Sequence, residues 1–386
     1  MGGLLKMTRA GKYVQQPGGY KAFIPNNLPP DPPITYDGEL SILLEEASLA
    51  LGELKGLAEI IPNPNFFITM YVRKEALLSS QIEGTQASLV DLIDAETKKD
   101  YAIPAEIREV RNYIEALYFG LERVKELPVS LRLLKEIHKI LLKDVRGSTR
   151  NPGEFRTVQN WIGATGTDIN DADFVPPPVP EMKQALYDFE LYYHNGKNEP
   201  PLIKCGLLHA QFETIHPFQD GNGRIGRLLI TFFLCEQGIL PKPLLYLSYY
   251  FKKNRLRYYE MLMNVRDHGD WEGWLKFFLR GITEVSRQAV NTAKQILTLM
   301  DQHRSMIIQR LNTTNALALY DLLLVMPIVK VRYVQDKLNV TYATANKLVG
   351  QFVDLGLLRP REDAKRDRTF VYSDYLKIHQ KGTEPL

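Results

Sequence analysis

The sequence is short of cysteine, short of net charge, and has no long apolar run. Cys205 and Cys235 are its only cysteines, which excludes a disulfide framework and a four-cysteine zinc site. With 48 Lys+Arg against 45 Asp+Glu the net charge is +3, too even for a protein that coats nucleic acid. That excess lies wholly from Leu311 onward, where eleven Lys/Arg face eight Asp/Glu, so residues 1–310 are neutral. No apolar stretch reaches the ~18 residues of a membrane span, since Leu228 to Cys235 is cut by Glu236 and Gln237. The N-terminus has no contiguous apolar segment of the signal-peptide kind, so a cytoplasmic protein with no membrane partner is expected. Neither G-x-x-x-x-G-K-[ST] nor H-E-x-x-H occurs, which removes P-loop and zincin chemistry.

What is present is mostly helical. Apolar residues make up 45% and charged residues 24%, ordinary for a globular chain with a sizeable core. At ~150 residues per domain, 386 residues suggest two or three domains. Pro17, Pro25, Pro29, Pro30, Pro32 and Pro33 predict an extended arm over residues 1–37. From Leu40 the apolar residues Leu43, Leu44, Ala47, Leu51, Leu54 and Leu57 recur at helical spacing. Further helices are expected over Phe66–Ile82, stopped by Gly84, after a capping box at Ser88–Asp91, over Leu131–Leu142 and over Leu202–Ile215. Phe155–Ile162 and Asp173–Val175 flank a Gly-containing loop and predict an irregular β-hairpin. Near the C-terminus, helices over Ala316–Val325, Lys330–Leu338 and Thr341–Leu355 precede a charged tip, Arg359–Arg368, between two extended runs. That order is the winged-helix pattern. Its presumed recognition helix carries only Lys347 as a cation, so DNA and a protein partner or dimer contact both stay open as its ligand.

The densest chemistry is His216-Pro-Phe-Gln-Asp220-Gly-Asn-Gly-Arg224-Ile-Gly-Arg227, between two helices. Gly221, Asn222 and Gly223 let successive N–H groups converge on an anion, and the following helix adds its positive dipole end. Arg224 and Arg227, three apart, can clamp two phosphates. Asp220 is a hard oxygen ligand suited to Mg²⁺, and His216 suits a general base. The run Gly221–Gly226 also spells G-x-G-x-x-G, but the flanking helices are the wrong context for a dinucleotide fold. His209, on the preceding helix, reads as a core histidine.

This segment matches H-P-F-x-[DE]-G-N-G-R-x-x-R without departure, and over roughly residues 35–285 the chain resembles the Fic (Fic/DOC) family. The resemblance implies a mainly α fold, a Fic-type helical bundle with a short β-hairpin flap, here followed by a C-terminal winged helix. Together with the proline-rich start and the winged-helix pattern, it divides the chain into an arm over 1–37, an N-terminal helical region with an inhibitory helix over 38–125, a Fic core over 126–285, a linking helix over 286–310 and the winged-helix domain over 311–386. It further implies transfer of AMP from Mg-ATP to a Ser, Thr or Tyr hydroxyl of a target protein or of the enzyme itself. His216 would be the base, Asp220 the Mg²⁺ ligand and Asn222 a stabiliser of the α-phosphate. The loop Gly221, Asn222, Gly223, Arg224, Ile225, Gly226 and Arg227 would bind ATP, with Tyr259 of the Tyr258–Tyr259 pair at the adenine. Ser79-Ser-Gln-Ile-Glu83-Gly84 fits the family's inhibitory motif, [ST]-x-x-x-E-[GN]. Glu83 would take Arg227 from the γ-phosphate, with Ser79 holding Glu83 in place. Removal of AMP, transfer of another nucleotide, a DNA-binding regulator that only senses nucleotide, and a homodimer are all compatible with these residues.

Overall fold

A computed structural model describes residues 7–60, 65–96, 103–164, 166–196, 199–361 and 368–385. The first elements correct the expected arm. β1 (Met7–Thr8), β2 (Gly11–Gln15) and β3 (Lys21–Pro25) form a three-stranded antiparallel sheet with Tyr13 opposite Phe23. Phe23 is buried, and its N–H donates to the Val175 carbonyl, so this sheet is bound to the body rather than extended away from it.

The helical body comprises α1 (Gly38–Ile60), α2 (Asn65–Ile82), α3 (Leu89–Ala95), α4 (Ala105–Arg123), α5 (Leu131–Leu141), α6 (Val179–Asn195), α7 (Pro201–Ile215), α8 (Asn222–Glu236), α9 (Ser248–Lys253), α10 (Arg255–His268) and α11 (Trp271–Arg310). The start signals act as expected. Ser88 and Asp91 form a capping box at α3, and Pro201 occupies the first turn of α7. The predicted hairpin shrinks to one bridge between Ile162 and Phe174. Its remaining backbone is held by side chains: Arg156 donates to the His216, Val158 and Pro177 carbonyls.

Helix α2 is buried on nearly every side, polar residues included. Arg73, Lys74 and Glu75 are all buried there. Each has a partner, as burial requires. Arg73 pairs with Glu96, Lys74 donates to the Lys381 carbonyl, and Glu75 accepts from Tyr113 Oη and the Ser248 N–H. The linking helix expected over 286–310 is the second part of a longer helix. α11 runs unbroken for 40 residues, joining the body to the C-terminal elements, with α1 packed along it.

The C-terminal unit comprises α12 (Thr314–Val325), β4 (Ile328–Lys330), α13 (Val331–Leu338), α14 (Tyr342–Asp354), β5 (Arg359–Pro360), β6 (Thr369–Val371) and α15 (Ser373–Gln380). Its sheet is antiparallel in the order β4-β6-β5. The extended runs expected at Leu357-Leu358 and Phe370–Tyr372 are found as paired strands over 359–360, two residues later, and 369–371, one earlier, with an unforeseen third strand and an unforeseen last helix. Most of the charged tip, Glu362–Asp367, lies outside the described residues.

Close helix packing sets the site helix α8 against α4. A Cβ at Gly120 would meet Phe232 Cζ at 2.3 Å and Ile137 Cδ1 at 3.2 Å, whereas one at Gly52 of α1 meets nothing within 4 Å. Gly120→Leu is therefore expected to destabilise by ~1–3 kcal/mol through overpacking, and Gly52→Leu to be neutral or mildly stabilising. Urea unfolding of the two variants checks this; equal stabilities would mean that α4 and α8 can separate freely.

Candidate functional site

Helix α7 ends at His216, whose backbone is left-handed (φ 49°, ψ 59°), an uncommon conformation for a non-glycine residue. Gly221 (φ 78°) then turns the chain into α8. Between them the loop is locked from within and from outside. The Asn222 side chain accepts from the Phe218 N–H and donates back to its carbonyl, both at 2.8 Å. Asn160 donates to the same Phe218 carbonyl at 2.9 Å, and Arg156 Nε to the His216 carbonyl at 3.0 Å. His138 stacks on Phe218 at 3.8 Å, accepts at Nδ1 from Gly153 N–H, and therefore donates from Nε2 to the Asp220 carbonyl at 3.0 Å. Burial pushes the His138 pKa down to about 4, which suits this neutral role.

With the loop carbonyls engaged, the first turn of α8 is left without a side-chain cap. Its N–H groups face the direction from which an anion would approach. Two guanidiniums sit beside it. Arg224 is 1% exposed, and none of its three nitrogens has a hydrogen-bond partner among the described residues. Its nearest carboxylates, Asp220 at 3.6 Å and Glu109 at 3.9 Å, are ion-pair neighbours only. A buried guanidinium without hydrogen bonds is costly, and an anion bound there would relieve that cost. Arg227 is the opposite case. Its Nε donates to Ser79 Oγ at 2.8 Å, and Nη2 to the Ser79 carbonyl at 3.0 Å and to Glu83 Oε1 at 2.6 Å.

Glu83 lies where α2 ends. Gly84 (φ 100°) reverses the chain, and Arg146 donates to the Glu83 carbonyl at 3.3 Å. A Cβ at Gly223 would come within 2.4 Å of Glu83 Oε1, so the carboxylate rests against the first turn of α8 in the space that glycine leaves. Burial raises the Glu83 pKa, but Arg227 outweighs it by charge and hydrogen bond, helped by Arg224, and the net shift is downward. Burial likewise opposes the charge on Arg227, and Glu83 more than restores it.

Burial, then the charges of Arg266 and Arg156, push the His216 pKa down to about 3, so the imidazole is neutral and carries a free lone pair. Asp220 receives the Gly221 N–H on Oδ1. Among the described residues no cluster of three or more His, Cys, Asp or Glu could hold a metal by itself. A single carboxylate beside the Arg224 guanidinium fits Mg²⁺ only when phosphate oxygens complete its coordination. Tyr258 and Tyr259 divide. Tyr258 is buried and bonded to His209, while Tyr259 is 39% exposed with Arg255 over its ring.

Four of the expected site residues make further contacts in the folded chain. The Asn222 amide holds the loop through the Phe218 N–H and carbonyl. Ile225 is fully buried in the core. Gly226 serves helix packing: a Cβ there would lie 2.2 Å from Glu213 Oε1, and its carbonyl bonds to His209. Ser79 holds Arg227 rather than Glu83. His209 is the satisfied core histidine expected of it, between Gly226 and Tyr258. Of the flap aromatics, Phe174 is buried beneath Arg266, whereas Trp161 is 43% exposed.

Glu213 stands out only in the folded chain, although it lies one turn before His216. Among the described residues its Oε1 is buried with no partner, and burial pushes its pKa up to about 7, against the pull of Arg227.

Residues 42–122 match the Fic/DOC family N-terminal region and residues 128–234 the Fic/DOC family. Protein adenylyltransferase Fic of Drosophila virilis is 27% identical over 203 residues, covering 52% of this chain and 37% of that protein. A probable protein adenylyltransferase of Aquifex aeolicus is 26% identical over 209 residues, covering 54% of this chain and 55% of the other. The chain thus matches between about a third and about half the length of these curated relatives. Among solved structures, a Fic family protein from Desulfovibrio desulfuricans G20 shares the fold at 23% identity with a TM-score of 0.58, covering 88% of this chain and 97% of that one.

The Glu213 proton gives a test of the site's electrostatics. The folded state holds it more tightly than the unfolded chain, so the group favours folding below its ordinary value of 4.5, and that contribution is lost as pH rises through about 7. Glu213→Gln removes the titration. Its stability relative to the unsubstituted protein should improve between pH 5 and pH 8, by at most on the order of 3 kcal/mol at about 1.4 kcal/mol per pH unit. Thermal unfolding at several pH values measures it; a difference that does not change with pH would mean that Glu213 is ionised throughout.

Proposed function

The chain belongs to the Fic/DOC family, and from that premise we propose that it is a protein adenylyltransferase held inactive by Glu83. It would transfer AMP from Mg-ATP to a Ser, Thr or Tyr hydroxyl of a target protein or of itself. One observation carries the reading: Arg227 is tied to Glu83 and Ser79 beside an uncapped helix start, while Arg224 is buried with no hydrogen-bond partner among the described residues. That supports an anion site with one clamp free and the other occupied.

The chemistry follows from the positions. The target oxygen bonds to the α-phosphorus as the bond to the bridging oxygen of the β-phosphate breaks, and pyrophosphate leaves. His216, kept neutral, accepts the hydroxyl proton. The positive charges that depress its pKa would be offset by the incoming triphosphate, which makes it a better base when substrate is bound. The backbone of residues 222–224 and the Arg224 guanidinium would stabilise phosphate charge. Asp220 would hold Mg²⁺, which when bound neutralises part of the triphosphate. Tyr259, rather than the buried Tyr258, is the ring available to a base. Arg227 would reach the γ-phosphate only after leaving Glu83, because one guanidinium edge cannot serve both anions.

ATP labelled at the α-phosphate separates this reading from its rivals. Label on protein supports transfer. Nucleotide binding with no label would favour a regulator that senses nucleotide, and release of AMP from a modified protein would favour the reverse reaction. His216→Ala should abolish labelling while nearly preserving ATP affinity, since the imidazole faces the nucleophile; wild-type labelling in this variant would remove His216 from the mechanism.

Glu83→Gly should raise labelling by ~10- to 100-fold, the scale on which small misplacements of reacting groups act. Arg227→Ala should not reproduce the gain, because it deletes the phosphate clamp along with the inhibitor's anchor. A Glu83→Gly protein no more active than its parent would sink the inhibitory assignment.

A further inference from the structure

The end of α2 is held by more than the site. The segment after α15, residues 381–384, lies across α2 and α9 and is bound by its backbone. Lys74 Nζ donates to the Lys381 carbonyl at 2.9 Å and Gln81 Nε2 to the Thr383 carbonyl at 2.9 Å; Lys252 Nζ donates to the Glu384 carbonyl. Gln81 also donates to the Ala87 carbonyl at 2.8 Å, so one amide ties together the last turn of α2, the turn beyond it and this segment. It lies midway between Ser79 and Glu83, the two residues that hold Arg227. Thr383 is buried and its hydroxyl bonds to the Gln380 carbonyl. Gly382 has φ 77°, and a Cβ there would lie 2.2 Å from Tyr249 Cε2, so the chain passes tightly over that ring.

The segment is continuous with the C-terminal unit. α15 carries buried His379, which stands edge-on to Tyr71 of α2 and to Tyr375, and Tyr375 Oη donates to the Leu324 carbonyl at the end of α12. Arg73 of α2 donates to the neighbouring Val325 carbonyl at 2.7 Å. Displacing the C-terminal unit therefore has to strip acceptors from Arg73, Lys74 and Gln81, all buried donors on one helix. Arg73 keeps Glu96 and Gln81 keeps the Ala87 carbonyl, but each loses a buried bond and Lys74 loses its Lys381 acceptor, which lowers the cost of loosening α2.

We infer that residues 381–384 are a strap by which the C-terminal unit holds the Glu83 helix in its inhibiting position, so that any ligand favouring an undocked C-terminal unit activates the enzyme. The inference rests on the autoinhibition proposed above. The device needs two states with unequal affinity for that ligand, strap docked and strap released, and couplings of this kind run to ~5- to 150-fold.

The test uses the full chain with Gly382→Ala, which drives a methyl into Tyr249 of α9, and with Lys252→Met, which removes one strap contact from α9. Amide hydrogen exchange over residues 79–85 should speed up in both, and AMP transfer should rise ~10-fold. In a Glu83→Gly background neither change should add more, since the inhibitor is already gone. Unchanged exchange over 79–85, with 381–384 exchanging faster, overturns the strap. So does unchanged transfer in a protein that Glu83→Gly does activate. Should Glu83→Gly itself be inert, the autoinhibition reading fails, and exchange over 79–85 alone decides whether the strap holds α2.

Discussion

The guanidinium of Arg227 can satisfy the end of α2 or an incoming phosphate, and the rest of the site is arranged around that exclusivity. It is 2% exposed, and the two elements it joins are 144 residues apart in sequence. Inside so little water an unpaired charge is expensive, so Arg227 is always paired with something. Ser79 and Glu83 are its partners here. Gly223 makes this arrangement fit, because any side chain there would collide with the Glu83 carboxylate.

Several of the molecule's unsatisfied and strained groups lie at this site. His216 is left-handed at the end of α7, and among the described residues Arg224 has no hydrogen-bond partner and Glu213 holds a buried oxygen without one. A few residues away the same chemistry is fully satisfied: His138 and His209 each use both ring nitrogens. The polar lock around residues 216–222 offsets part of that cost.

Much of the body was legible because its signals are local. Proline at the start of α7, the Ser88 capping box and the periodic leucines of α1 act within a few residues and held in the folded chain. The first sheet was not, because its strands are short and Phe23 is fixed by a carbonyl about 150 residues away at Val175. Nor was the continuity of α11, since a helix that packs along its length needs no break where one domain pattern gives way to another. Within the site, the motif gave the positions but not every role. Residues 222, 225 and 226 share a turn with the arginines, yet they face the loop, the core and α7, and direction around a helix depends on what the helix is packed against.

By itself the sequence determined the chemistry available: a base, an acidic ligand, two arginines and a glycine-rich turn within twelve residues, and a distant glutamate at a helix end. These are properties of residue type and near-neighbour spacing, which the unfolded chain already possesses. Only the tertiary structure decided which arginine is engaged, which glycine makes room for the Glu83 carboxylate and which for a helix contact, and that the C-terminal unit lies over α2. Those outcomes depend on which surfaces meet when the helices pack, and a buried group's partner is fixed by the whole core around it rather than by its neighbours along the chain.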